Sequence, residues 1–165
     1  MKIHQYEKLW LVGSFVLIVL FIATITYGAT ALGITMVGEG ETVDPNALDD
    51  HPDFGDPGVE QVGENEYEAY IIAHTFFFEP DPIVVPAGST VTFHITSSDV
   101  IHGFDLVGTN VNTMVIPGEV ATIQVEFDEP GEYGVVCNEY CGGGHHYMEA
   151  ILEVVPEDEW DGDEA

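Results

Sequence analysis

From Leu9 to Gly38 the chain carries no charged residue. The stretch LWLVGSFVLIVLFIATITYGATALGITMVG is mostly apolar. About 20 such residues cross a bilayer as a helix, so one transmembrane helix is predicted within residues 1–38. A cleaved secretory signal is the rival reading, because Ala29-Thr30-Ala31 has the small-residue form of a cleavage site. The apolar run up to Ile25 is longer than a usual signal core and favours a retained anchor. Lys2 and Lys8 both precede this segment, which places the N-terminus in the cytoplasm by the positive-inside rule. The expectation is a single-pass protein of the cell membrane whose remaining residues lie outside the cell.

Those remaining residues hold no basic side chain at all. The chain has 30 Asp and Glu against two Lys and no Arg, a net charge of −28. Phosphate binding needs clustered Lys and Arg, so no nucleic-acid partner is expected. Charge of this density suits a disordered chain, but 45% hydrophobic and 11% aromatic residues argue for a folded core under an acidic surface. Hydrated carboxylates keep a protein soluble in high salt, where their mutual repulsion is screened. The composition therefore predicts a halophilic archaeal source.

Residues 39–66 read as an acidic linker, with Pro45, Pro52 and Pro57 and no sustained period. Like-charge repulsion is expected to keep such a segment extended. Residues 157–165 read as an acidic, frayed tail. Between them, residues 67–156 carry short β patterns. Val91-Thr92-Phe93-His94-Ile95-Thr96 alternates apolar and polar, the mark of a strand with one buried face, and puts His94 on the solvent side. Further strands are predicted at Ile83–Val85, Ala121–Phe127, Tyr133–Val136 and Ala150–Val155. Pro86-Ala87-Gly88, Pro117-Gly118-Glu119 and Pro130-Gly131-Glu132 supply turns. Short strands, regular turns and no long amphipathic helix predict an all-β Greek-key sandwich.

The chemistry is concentrated in Cys137-Asn138-Glu139-Tyr140-Cys141-Gly142-Gly143-Gly144-His145-His146-Tyr147-Met148. Thiolate, imidazole and a weak Met ligand on a β-sandwich are what copper electron-transfer sites use. Cys141, His145 and Met148 supply such a set if a second His arrives from upstream. His102, which follows a strand and precedes Gly103, is the candidate; His4, His51, His74 and His94 are worse placed. Cys137 is one thiol too many for a single blue copper, whereas two thiolates can bridge two copper ions. The three glycines let the loop turn tightly. Two extracellular Cys also read as a structural disulfide. A Cys/His set also reads as zinc, although Met is a poor zinc ligand, and a lone Met is usually core packing.

The segment resembles the CuA motif, C-x-E-x-C-x-x-x-H-x-x-M, of subunit II of haem–copper cytochrome oxidases. Asp99-Val100-Ile101-His102-Gly103-Phe104, Pro117-Gly118-Glu119 and Pro130-Gly131-Glu132-Tyr133 resemble that family too, and the likeness runs from about Phe76 to Val155. The resemblance implies a cupredoxin-like domain holding a binuclear copper centre, CuA. It makes His102 and His145 the imidazole ligands, Cys137 and Cys141 the bridging thiolates, Met148 a weak axial ligand and Glu139 a ligand through its backbone carbonyl. The single predicted helix resembles the B-type branch, and Phe76 matches that branch's aromatic position for electron uptake. The implied function is electron transfer in a terminal respiratory oxidase. A mobile extracellular donor, cytochrome c or a blue-copper protein, would deliver electrons, and haem in subunit I would receive them for oxygen reduction. A nitric-oxide reductase CuA subunit and a membrane-anchored single-copper cupredoxin are the alternatives.

Overall fold

The computed structural model describes residues 4–31, 40–160 and 162. Lys2, the boundary at 38/39 and the last residues of the acidic tail lie outside them. The chain separates into two compact units, Met1–Glu39 and Gly40–Ala165. In the first, helix α1 spans Gln5–Ala31. Its start is fixed by Glu7, whose carboxylate accepts the backbone N–H of His4 at 2.8 Å, as in one half of a capping box. Gln5–Gly28 is long and apolar enough to cross a membrane. Thr24 satisfies its hydroxyl by donating to the Leu20 carbonyl at 2.9 Å, the usual way a helix carries a hydroxyl through an apolar span.

The second unit is a sandwich of two five-stranded sheets. One sheet is ordered β1 (Val59–Gly63), β2 (Glu66–His74), β5 (Ser89–Ser97) and β8 (Ala121–Phe127), with β3 (Phe77–Glu79) on the far end of β2. The other is ordered β4 (Ile83–Pro86), β10 (Glu149–Val155), β9 (Gly131–Val136), β6 (His102–Leu106) and β7 (Asn112–Val115). β2 with β5 and β4 with β10 run parallel, and every other pair is antiparallel. The expected cupredoxin-like β-sandwich behind one apolar helix is therefore present. Alternation explains the strands: Tyr67, Ala69, Ile71 and Ala73 of β2 and Val91, Phe93 and Ile95 of β5 all point into the core. At its centre Phe104 meets Phe78 edge-on at 5.7 Å. Each such ring contributes about 1.5–3 kcal/mol by burial. Gly88 and Gly118 take positive φ in the turns predicted for them.

Three expectations need correction. The segment expected to be an extended acidic linker is folded onto the outer face of the first sheet. Val43, Leu48 and Phe54 bury against Ile72, Val120 and Tyr70 as a second small core. Backbone bonds tie the segment down: Val43 N–H to Gly118 O at 3.2 Å, Val120 N–H to Glu41 O at 2.9 Å and a reciprocal pair between Gly58 and Tyr70. The physical reason is that three well-spaced apolar side chains suffice to anchor a segment whose described carboxylates stay exposed or partly exposed. Gly55 closes the turn because a Cβ there would lie 2.6 Å from the His51 carbonyl oxygen. His94 is half-buried and stacked on Tyr70 of β2 at 5.0 Å rather than facing solvent. The tail is docked as far as Trp160, whose ring packs edge-on against Tyr67 at 4.9 Å.

Candidate metal centre

All the candidate donors meet at one end of the sandwich. β9 ends at Val136, β10 begins at Glu149, and these two residues pair across the sheet. The loop between them is closed further by Cys137 N–H donating to Met148 O at 3.1 Å. Inside it a short 3-10 turn, His145–Tyr147, is built from His145 N–H to Gly142 O at 3.2 Å and Tyr147 N–H to Gly144 O at 2.9 Å.

His102 opens β6 and is fully buried. Its Nε2 donates to Asp99 Oδ1 at 2.8 Å, which leaves the Nδ1 lone pair facing Cys137 Sγ at 3.8 Å. This is the carboxylate–histidine pairing that fixes the tautomer of metal-binding imidazoles. Burial acts to raise the Asp99 carboxyl. The Thr75 hydroxyl, the His102 ring and the N–H groups of Val100 and Thr75 outweigh it and bring it down to about 2. Asp99 is thus an anion at neutral pH, holding His102 through one oxygen and Thr75 through the other.

Cys137 and Cys141 are both free and buried, with their sulfurs 3.9 Å apart. That is well beyond the roughly 2.05 Å of a disulfide. It is within the span of a soft cation sitting about 2.3 Å from each thiolate. Around Cys137 lie His102 Nδ1 at 3.8 Å and the Glu139 carbonyl oxygen at 3.2 Å. Around Cys141 lie His145 Nδ1 at 3.6 Å and Met148 Sδ at 3.5 Å. Each thiol therefore has one imidazole nitrogen and one weak donor beside it. Burial first, and then the neighbouring Cys137, push the Cys141 thiol up to about 11, against a backbone N–H from Phe76. The Cys141 thiol is thus neutral without a cation, and a bound cation would supply the charge that lets its sulfur ionise. Two thiols, two imidazoles, a thioether and a carbonyl form a soft donor set that fits copper.

The structure brings His102, Cys137, Cys141, His145, Met148 and the Glu139 carbonyl together; the Glu139 side chain points to solvent. His146 is exposed, with its ring tilted against that of Tyr147 at 3.9 Å. His74 is occupied by Ser98 and Glu79. Phe76 sits in the left-handed region at φ +78, which a bulky residue adopts only under constraint. Its ring lies on the loop so closely that a Cβ on Gly144 would meet Phe76 Cγ at 2.7 Å, while Gly143 faces open space. Phe76 is 40% exposed on its other side. The sequence reading missed the anchoring roles of Asp99 and Thr75. An Asp three residues before a candidate metal-binding His was the available signal.

Glu41, His51 and Asp53 form a second group with donor atoms within 4.8 Å of one another. Its imidazole is already used. His51 Nδ1 accepts the backbone N–H groups of Asp53 and Phe54 at 3.2 and 3.3 Å, so the proton sits on Nε2 and neither nitrogen offers a lone pair.

Comparison with known proteins agrees with this geometry. Residues 62–155 match the model of the family described as cytochrome C oxidase subunit II, periplasmic domain. Cytochrome c oxidase subunit 2 of Thermus thermophilus is 45% identical over 156 residues, covering 92% of this chain and 93% of the relative. A chain in the cryo-EM structure of a heme–copper terminal oxidase dimer superposes with a TM-score of 0.62 at 34% identity, over 92% of this chain and 100% of that one. The crystal structure of the periplasmic domain of subunit II of cytochrome oxidase from Bradyrhizobium japonicum superposes with a TM-score of 0.53 at 21% identity, over 56% of this chain and 86% of that one, and shares the fold. The chain belongs to the cytochrome c oxidase subunit II family.

Proposed function

We propose that this chain is the electron-accepting subunit of a haem–copper terminal oxidase, with a binuclear CuA centre held by His102, Cys137, Glu139 O, Cys141, His145 and Met148. The observation that carries the reading is the doubled donor set, in which two thiols 3.9 Å apart each have an imidazole nitrogen and a weak donor at hand. A single-copper centre would leave one thiol and one imidazole without a role. The relatives' names favour an oxidase over a nitric-oxide reductase. When bound, the copper pair supplies one-electron redox chemistry. The chain's own residues hold the donors in one geometry, exclude water through the burial of His102, Cys137, Cys141 and Met148, and resist rearrangement through Asp99.

Residues 1–38 anchor the chain in the cell membrane with the N-terminus cytoplasmic and the copper domain outside, as in the single-helix B-type branch. The partners are haem-bearing subunit I, which receives the electron, and a mobile donor, cytochrome c or a blue-copper protein. Phe76, strained in backbone and lying between solvent and the loop, marks where electrons come in. The acidic surface fits a halophilic archaeal source. At about 1 M salt the Debye length is about 3 Å, so long-range steering is lost and the donor must dock by short-range apolar contact. Exposed Phe76, Phe77, Val100, Ile101, Tyr140 and Tyr147, on the segments that carry or flank the donors, offer that surface.

Rapid mixing of the purified oxidase with a reduced donor tests the assignment. The copper absorption of this chain should change before the haem is reduced, and Cys137→Ser should abolish both steps. Haem reduction at an unaltered rate in the Cys137→Ser complex would overturn it.

A further inference from the structure

We propose that Asn138 is a positioning residue for the copper centre, and that it sets the separation of His102 from Cys137 through a lock with Gly103. The inference rests on the CuA reading above. His102 stands on β6 and Cys137 follows β9, yet these strands pair only at Asp105 with Val136 and Leu106 with Val135. No ladder bond links the β6 residues His102, Gly103 and Phe104 to the loop that carries the thiols. Asn138 takes over where the ladder stops. Its Nδ2 donates to Asn112 Oδ1 on β7 at 3.1 Å and to Asp105 Oδ2 on β6 at 3.4 Å. Its carboxamide oxygen occupies the place of a side chain on Gly103. A Cβ there would overlap that oxygen and lie 3.0 Å from Asn138 Cγ and 3.1 Å from its backbone nitrogen.

Gly103 lies outside the positive-φ glycines of this chain, so its lack of a side chain serves this contact rather than a turn. On its other side β6 is held along its length by β7, from His102 with Val115 to Asp105 with Asn112. The carboxamide thus lies across β6 and grips β7 behind it. One partner of the lock adjoins His102 and the other adjoins Cys137, so the two donors inherit its spacing. A purely structural Asn138 would make the same hydrogen bonds but would set no property of the metal.

The test uses the full chain in detergent, loaded with copper, with electron paramagnetic resonance and copper release to a chelator as readouts and circular dichroism as the check on folding. Asn138→Ala should keep both coppers but share the unpaired electron unequally between them, with a roughly 10-fold loss of copper affinity. Gly103→Ala should be worse, because it drives the carboxamide away from the loop. The double variant G103A/N138A should fall well short of the sum of the two single effects, since the new methyl group then meets only the backbone nitrogen of residue 138, at 3.1 Å. Asn112→Ala, which removes one anchor and no atom of the loop, should shift the signal the same way by less. Unaltered resonance in N138A and N112A, with only lower melting temperatures, would overturn the proposal. So would effects of G103A and N138A that simply add. A wild-type chain that itself fails to share an electron between two coppers would overturn the CuA reading instead.

Discussion

The two imidazoles of the candidate centre are held in opposite ways. His102 is part of a strand, fully buried, and fixed through its far nitrogen by an ionised Asp99. His145 rides on a three-residue 3-10 turn, half-buried, with the exposed Tyr140 ring beside it at 5.8 Å. The first is placed by the core of the sandwich. The second is placed by a loop whose shape depends on glycines and on the Phe76 ring lying over them. A centre built this way has one fixed wall and one fitted wall, so damage to the two should differ in kind.

The largest difference is expected on removing each ring. In the metal-free chain, His102→Ala should cost on the order of 3 kcal/mol, because it opens a core cavity and strips Asp99 of a partner. His145→Ala should stay within about 1 kcal/mol. Denaturant unfolding measures both, and equal losses would break the comparison. On the fixed wall, Asp99→Asn should lower copper affinity by about 10- to 100-fold, read by competition with a chelator. On the fitted wall, Gly144→Ala should cost about 1–3 kcal/mol by forcing Phe76 off the loop, while Gly143→Ala changes stability by about 0.5 kcal/mol or less.

A further difference is in pH. Asp99 has a folded value of about 2 against an ordinary 3.8, so its stabilisation is present above about pH 4 and disappears as pH falls toward 2. Cys141 has a folded value of about 11 against 9.0. Its contribution in the metal-free chain is present below pH 9 and disappears as pH rises toward 11. Asp99→Asn should flatten only the acid limb of the unfolding profile, and Cys141→Ser only the alkaline one.

These differences also explain what was legible from the sequence. The candidate donors were legible because Cys, His and Met side chains at close spacing have few other uses together, and the strands because Val91, Phe93 and Ile95 repeat with the period of a pleat. Thr75, Asn138 and the strain at Phe76 were not, since each depends on a neighbour that the chain reaches only by folding: Asp99, Gly103 and Gly144. The folded cover from Val43 to Phe54 was hidden for a related reason. Three apolar anchors in an acidic segment carry no period, and only the sheet face they meet gives them meaning.

The most direct test of the account is electron paramagnetic resonance of the full chain in detergent after copper loading with the thiols kept reduced and one-electron oxidation of the loaded chain by ferricyanide, with the metal counted. The account predicts two coppers per chain and one unpaired electron coupled equally to both nuclei. One copper per chain with coupling to a single nucleus, or a chain that takes up no copper because Cys137 and Cys141 have joined as a disulfide, would contradict it.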